Sequence, residues 1–152
     1  MDIKLSAASV EFRNVTKAFG EVEAVKDVSF TIEAGTLVTL LGPSGCGKTT
    51  TLRMIAGLES ITKGQIFIDE IDVTNLSVTQ RDVSMVFQSY ALFPHMTVME
   101  NVRYGLREMG KNKAEQKHFA EEGMAMVGLH GFGDRMPNEL SGGQQQRVAV
   151  AR

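Results

Sequence analysis

Two short stretches near the start of the chain alternate apolar and polar residues. They run from Val10 to Val15 and from Val28 to Ile32, and Gly20 and Gly35 follow them as candidate turn residues. A period of two residues is typical of strands that bury one face. The pattern therefore predicts an antiparallel β region at the start.

The segment from Thr36 to Leu41 is an almost continuous apolar run. Such a run favours a strand that is covered on both faces. The residues from Thr49 to Ala56 then predict a helix that Gly57 ends. Gln65 to Ile68 and Val83 to Phe87 supply two more strand candidates. Strand, loop and helix therefore follow one another in the order of an α/β protein.

Helical signals dominate from Thr97 onward. Thr97 with Glu100 three residues later forms a capping box. A second helix is predicted from Lys113 to about Val127, where apolar residues recur at helical spacing. The predicted organisation is a β region and core at about 1–88, a helical subdomain at about 89–137, and a last segment at 138–152.

Composition narrows the classes of partner. Lys and Arg number 16 and Asp and Glu 18, for a formal net charge of -2, which argues against a nucleic-acid partner bound through bulk charge. The single cysteine, Cys46, cannot form an internal disulfide, which fits a reducing compartment. No apolar run approaches the roughly 18 residues of a membrane helix. The sequence thus predicts a cytoplasmic protein that reaches a membrane only through a partner.

A glycine-rich loop follows the apolar run and fits the Walker A pattern GxxxxGK[ST]. Its glycines allow backbone N–H groups to converge on phosphate oxygens. Lys48 adds a positive charge for the β and γ phosphates, and Thr49 can offer its hydroxyl to Mg²⁺. The predicted nucleotide-binding residues of the loop are Gly42, Pro43, Ser44, Gly45, Cys46, Gly47, Lys48, Thr49 and Thr50.

A second motif, LSGGQQQR, runs from Leu140 to Arg147 before an apolar helical run. Alone, it is either a helix start with a flexible glycine pair, capped by Ser141, or an anion-binding helix end. With the glycine loop, it resembles the LSGGQ signature of the ABC ATPase family. The resemblance extends to NVTKAFG (14–20), VKDVSF (25–30), LRMIAGLE (52–59) and MVFQSYALFPHMTV (85–98). Within the family, the chain most resembles ATPases of importers for sugars, polyamines, iron or sulfate.

The resemblance implies an α/β P-loop NTPase core of the ABC type, with an antiparallel β region, a helical insertion and the later part of the core absent. It implies ATP and Mg²⁺ as ligands. Phe19 would stack on adenine, although a strand-end aromatic can also be an ordinary core residue. Gln88 would reach Mg²⁺ and the attacking water.

The resemblance also implies partners. Ser141, Gly142, Gly143 and Gln144 would contact the ATP that a second subunit holds, in a homodimer or with another ATPase subunit. The segment with Tyr90, Phe93, Pro94 and His95 would either receive a membrane permease subunit or belong to the core of the helical subdomain. The protein would then lie at the inner face of the cell membrane.

The family's hydrolytic residues follow the signature: an acidic Walker B strand, a glutamate that activates water and a switch histidine. These segments are not among the 152 residues, so a chain of this extent is expected to bind ATP without hydrolysing it alone and to expose apolar surface. His95, His118 and His130 precede the signature and are interpreted as surface or structural residues. Asp69 and Glu70 are interpreted as a turn.

Other classes of function remain open from the residues. A non-catalytic nucleotide-binding fragment is compatible with both motifs. ABC-type ATPases of DNA repair share the motifs but insert coiled coils or zinc modules between them, and the interval here has no long heptad run and no cysteine pair. A P-loop kinase would have no need of LSGGQ.

Overall fold

Four strands form one antiparallel sheet in the first part of the molecule. The computed structural model describes residues 7–152. The strands are β1 (Val10–Phe19), β2 (Val22–Ile32), β3 (Lys63–Ile68) and β4 (Ile71–Asp72). Their order in the sheet is β2-β1-β3-β4, with antiparallel neighbours throughout. The predicted antiparallel region is therefore confirmed.

The first two strands are longer than the alternation of apolar and polar residues predicted. Irregular pairing interrupts that alternation within the strands. The register between β1 and β2 shifts after Phe12, and Asn14 and Asp27 have positive φ angles of 49° and 46°. Asn and Asp tolerate this left-handed conformation better than other residues that have a Cβ. The Asn14 side-chain amide donates to Asp27 Oδ1 over 3.0 Å. Such bulges change which residues face the core, but the strand continues beyond them.

Helix α1 (Lys48–Ile55) follows the glycine loop. At its end Gly57 has a φ of 74°, and its N–H donates to Met54 O while Leu58 N–H donates to Arg53 O. This is a Schellman motif, and the predicted stop at Gly57 is confirmed. Fully buried Met54 joins the sheet residues in one core, whose buried members are Phe12, Val15, Val25, Met54, Ile66 and Val73.

Three helices follow in the second part of the molecule. They are α2 (Val98–Glu108), α3 (Lys113–Met126) and α4 (Gly142–Ala151). Single 3₁₀ turns lie at Val78–Gln80 and Pro137–Glu139. The helices enclose a second core, whose buried members are Val98, Val102, Ala120, Met124, Leu129, Leu140 and Val148.

The chain divides into two compact units, Met1–Met85 and Val86–Arg152. The sheet and α1 belong to the first unit, and α2, α3 and α4 belong to the second. The glycine loop therefore lies in the first unit and the LSGGQ segment in the second.

Two predicted strands are wrong. The segments from Thr36 to Leu41 and from Val83 to Phe87 have no regular secondary structure, and Leu37 and Leu41 are 97% and 88% exposed. A strand needs a neighbour that satisfies its backbone N–H and C=O groups. Neither segment pairs with the described sheet, whose members are β1 to β4. The apolar run is thus left exposed.

Candidate functional site

The glycine loop is shaped by close approaches that exclude larger residues. Gly47 has a φ of 88°, and a Cβ there would lie 2.6 Å from Ala24 O and 3.0 Å from Val25 Cγ2. A Cβ at Gly42 would lie 2.6 Å from Cys46 Sγ. Contacts this short require displacement of the neighbouring atoms, and at Gly47 one of them is main chain of β2. The loop is therefore held against the sheet at the point where α1 begins.

The start of α1 differs from that of the other three α-helices of residues 7–152. Gly47 occupies the N-cap position, and no side chain accepts a hydrogen bond there. In α2, α3 and α4, the side chains of Thr97, Asn112 and Ser141 accept from main-chain N–H groups of the first turn. An uncapped helix start presents N–H groups and the positive end of the helix dipole. This end of α1 suits an anion.

Lys48 places a cation across the same loop. Its Nζ donates to Gly42 O over 2.8 Å and to Pro43 O over 2.6 Å, and lies 3.5 Å from Cys46 Sγ. The side chain is part-buried, whereas Thr49 beside it is exposed. An ammonium held by carbonyl oxygens and a thiol has not been neutralised by a carboxylate. The charge, the N–H groups and the Thr49 hydroxyl together fit a phosphate chain with a bound divalent cation.

Phe19 lies at the end of β1 with half of its surface exposed. It is not a member of the buried core of its unit. The ammonium of Lys17 lies 4.7 Å from the centroid of the Phe19 ring. The ring is therefore accessible to a ligand, and the alternative of an ordinary core aromatic is wrong.

The LSGGQ segment forms the start of α4. Ser141 is the N-cap, with its Oγ accepting from Gln144 N over 3.4 Å and its own N–H donating to Gln144 Oε1 over 2.9 Å. The predicted cap is confirmed. Gly142 and Gly143 are exposed, and a Cβ at either would meet nothing within 4 Å. Their lack of side chains is thus not explained by packing within this chain.

Comparison with known proteins now decides the family. Residues 25–152 match the family model described as ABC transporter, which covers more than half of the chain. The chain belongs to the ABC transporter family.

Curated relatives of this ABC family member include ferric-iron import proteins. Fe(3+) ions import ATP-binding protein FbpC of Brucella abortus (strain 2308) is 67% identical over 144 residues, which are 95% of this chain and 41% of the relative. The protein of the same name from Escherichia coli O157:H7 is 59% identical over 94% of this chain and 41% of its own length. The chain thus spans about two fifths of the length of these relatives.

Solved structures show the same fold. "Dimeric Structure of MJ0796, a Bacterial ABC Transporter Cassette" has a TM-score of 0.83 and 37% identity over 93% of this chain and 67% of that one. A second structure of MJ0796, "bound to ADP and Pi", has the same TM-score and 38% identity. The predicted fold class, the α/β fold of an ABC ATPase cassette, is confirmed.

Gln88 belongs to the second unit of this ABC ATPase chain, where it is exposed and lies in an irregular segment. The aromatic segment after it is divided. Tyr90 and Phe93 are part-buried, and the Phe93 ring lies 4.7 Å from that of Tyr104 on α2, whereas Pro94 and His95 are exposed. The docking of a permease subunit on this segment stays a prediction.

Three buried polar residues near these elements were not predicted from sequence. Arg81 and Lys17 are 5% and 7% exposed, and Asn101 is fully buried. Asn101 alone left a signal, because it is a polar residue within the buried face of α2 beside Val98 and Val102. Its side chain binds both main-chain groups of Phe93, accepting from N over 2.8 Å and donating to O over 3.1 Å.

The remaining predicted positions are surface residues. His95, His118 and His130 are exposed, and Asp69 and Glu70 form the turn between β3 and β4, as predicted. Within residues 7–152, no helix combines the length and apolar character needed to cross a membrane.

Proposed function

We propose that the protein is the ATP-binding subunit of an ABC importer whose cargo is ferric iron. The observation that carries the proposal is the glycine loop at the uncapped start of α1, with the Lys48 ammonium lying across it. The names of the relatives in Brucella abortus and Escherichia coli support ferric iron as cargo. ATP binding and hydrolysis would drive import through membrane permease subunits, with this subunit peripheral at the cytoplasmic face.

Different residues of the first unit would bind different parts of the nucleotide. Lys48 would exchange its carbonyl partners for oxygens of the β and γ phosphates, and the N–H groups at the start of α1 would bind the same phosphates. Thr49 would hold Mg²⁺, which supplies charge neutralisation at the phosphates when bound. Phe19 would stack on the adenine base. Gln88, which belongs to the second unit, would bind Mg²⁺ and the attacking water, as the family resemblance implies.

The residues from Ser141 to Gln144 would serve a second chain. They lie at an exposed helix start whose glycines leave open space, which supports close approach by another molecule. A helix N-terminus is suited to a phosphate group. In the proposed assembly, a homodimer or a pair with another ATPase subunit, they would contact the ATP bound by the partner. The dimeric structure of the MJ0796 cassette supports pairing of two such chains.

Replacement of Lys48 by alanine tests the proposal. Lys48→Ala removes the cation that faces the phosphates, so affinity for ATP should fall by about tenfold or more. Ferric-iron uptake by the assembled transporter should be lost with it. Lys63→Ala, which removes an exposed lysine from β3, is the matched control.

Calorimetry with ATP and uptake of radioactive iron in membrane vesicles provide the two measurements. Equal ATP affinity in the Lys48 variant and the control would contradict nucleotide binding at the loop. Normal ATP binding combined with transport of a sugar in place of iron would contradict the cargo alone.

A narrower proposal concerns a polypeptide confined to residues 1–152. It would bind ATP without turning it over, because the resemblance assigns the general base and an acidic metal ligand to segments after the signature. This polypeptide would correspond to the non-catalytic nucleotide-binding fragment.

A further inference from the structure

A buried ammonium group lies beneath the exposed aromatic ring of the first unit. Lys17 is only 7% exposed, whereas Phe19, two residues later on the same strand, is 50% exposed. The Lys17 Nζ lies 4.7 Å from the centroid of the Phe19 ring. Lysine is rarely buried unless its charge has a partner. The position of this cation therefore needs an explanation.

Two residues just after α1 hold the ammonium in place. Lys17 Nζ lies 2.7 Å from Glu59 Oε1 and donates to Ser60 Oγ over 3.4 Å. The hydrogen bond from Lys17 lowers the pKa of the Glu59 carboxyl below its ordinary value. The carboxyl side chain is 24% exposed and that of Lys17 only 9%, so this pair is better shielded than a surface ion pair.

Glu59 in turn is fixed to α1. Its N–H donates to Arg53 O over 3.2 Å, next to the bond from Leu58 N–H to the same oxygen. On the strand side, Ala18 N–H donates to Thr62 Oγ1 over 2.9 Å. The end of β1 and the segment after α1 are thus connected at Lys17 and at Ala18. The helix whose first turn carries the phosphate loop is therefore linked, through one ammonium, to the ring at the end of β1.

We propose that Lys17, held by Glu59, is a positioning residue that fixes the Phe19 ring for stacking on a purine base. The inference rests on the proposed function, in which Phe19 binds the base of ATP. A cation near one face of an aromatic ring is attracted by the ring's electrons. The attraction restricts the ring before ligand arrives, which lowers the entropy lost on binding. It also withdraws electron density from the ring, which favours stacking on an electron-rich purine.

The ion pair could instead serve only to hold β1 against α1. A purely structural role would affect every ligand of the loop equally, because the loop as a whole would be displaced. A role through the Phe19 ring would affect only ligands that carry a base. Inorganic triphosphate, which has the phosphates and lacks the base, separates the two.

The test uses the full chain and calorimetric affinities for ATP and for inorganic triphosphate. Lys17→Met keeps the aliphatic stem and removes the charge, and should weaken ATP binding by about threefold to fivefold with triphosphate affinity unchanged. In a Phe19→Ala background, which itself weakens ATP binding, the same substitution should have no further effect. Lys26→Met, which removes an exposed lysine from β2, is the matched control and should change neither affinity.

Because Lys17→Met leaves Glu59 without its partner, the pair variant Lys17→Met with Glu59→Gln provides a second measurement without an orphaned charge. Its ATP affinity should fall by the same factor. Equal losses for ATP and triphosphate, no loss for ATP, or an undiminished effect in the Phe19→Ala background would each overturn the inference. If Phe19→Ala itself left ATP affinity unchanged, the base-stacking role would fail and the inference with it. Failure of the unmodified chain to bind ATP would instead overturn the proposed function.

Discussion

Arg81 is a buried cation whose hydrogen-bond partners are all main-chain carbonyl oxygens. Its guanidinium donates to Met54 O over 2.6 Å and to Ile55 O over 3.2 Å, at the end of α1. It also reaches Leu76 O and Thr74 O. Burial lowers the pKa of Arg81 from its ordinary value, because the charge is desolvated. One side chain thus donates to two carbonyl oxygens at the helix end, and of these Met54 O also accepts from Gly57 N–H.

We expect Arg81→Met to destabilise the protein by about 2–4 kcal/mol, because four buried or part-buried main-chain carbonyl oxygens each lose a donor. The free energy of unfolding in urea is the measurement. Arg53→Met is the matched control, since that side chain is exposed on α1, and it should change stability by less than about 0.5 kcal/mol. Equal, small effects of the two substitutions would contradict the assigned role of Arg81.

Buried cations such as Arg81 show which features of single residues could not be predicted from the sequence. The Walker A loop and the Ser141 cap were predictable because their chemistry lies within eight consecutive residues. The roles of Lys17 and Arg81 were not predictable. The partners of Lys17 lie 42 and 43 positions away in the sequence, and those of Arg81 lie 5 to 27 positions away. Nothing in the neighbouring sequence indicates that either cation is buried.

At the scale of elements, α2 is stabilised by its first turn. Thr97 N–H donates to Glu100 Oε2 over 2.7 Å, and Glu100 N–H donates back to Thr97 Oγ1 over 3.3 Å. Two hydrogen bonds lower the pKa of the Glu100 carboxyl. The bond from the Thr97 backbone has the larger effect, and the bond with the Thr97 side chain has the next largest. The ionised form is therefore the one that stabilises α2.

The pH dependence follows from the direction of this shift. A carboxyl with a lower pKa in the folded state contributes stability above its unfolded pKa, about 4.3 for glutamate, and that contribution is lost as the pH falls through the folded pKa. Glu100→Gln should therefore lower the melting temperature relative to the unmodified protein at pH 6. The difference should shrink towards pH 3.

Thermal unfolding followed by circular dichroism across this range provides the measurement. Glu122→Gln, on the exposed surface of α3, controls for loss of one carboxylate from the same unit. A melting-temperature difference that grew as the pH fell would contradict the assignment.

Elements defined by local signals were predictable, and those that depend on distant pairing were not. The capping box at Thr97, the cap at Ser141 and the glycine stop after α1 lie within a few residues of the helix ends they define. By contrast, the run from Thr36 to Leu41 has strand composition but no partner in the described sheet. Composition indicates that a segment can form a strand, whereas pairing decides whether it does.

At the scale of the whole molecule, the two motifs lie in different units. The glycine loop belongs to the first unit and the LSGGQ segment to the second. Each motif is fixed by its own unit, through the contacts of Gly47 with β2 and the Ser141 cap of α4. Either motif can therefore be altered without removing the core of the other.

ATP hydrolysis by a polypeptide confined to residues 1–152 is the test at the scale of the whole molecule. We expect it to bind ATP and to release phosphate no faster than its Lys48→Ala variant, because the proposed general base is not among these residues. A coupled phosphate-release assay with saturating Mg²⁺ and ATP is the measurement. Steady turnover that disappears in the Lys48 variant would contradict the expectation.

The uncapped start of α1 makes the occupant of the loop a determinant of local folding. A helix whose first N–H groups lack side-chain acceptors frays more readily at that end. A ligand that binds only the ordered turn stabilises it in proportion to the logarithm of its concentration. If the loop binds ATP as proposed, the first turn of this helix would open more often when nucleotide is depleted, so amide exchange there would report whether the loop is occupied.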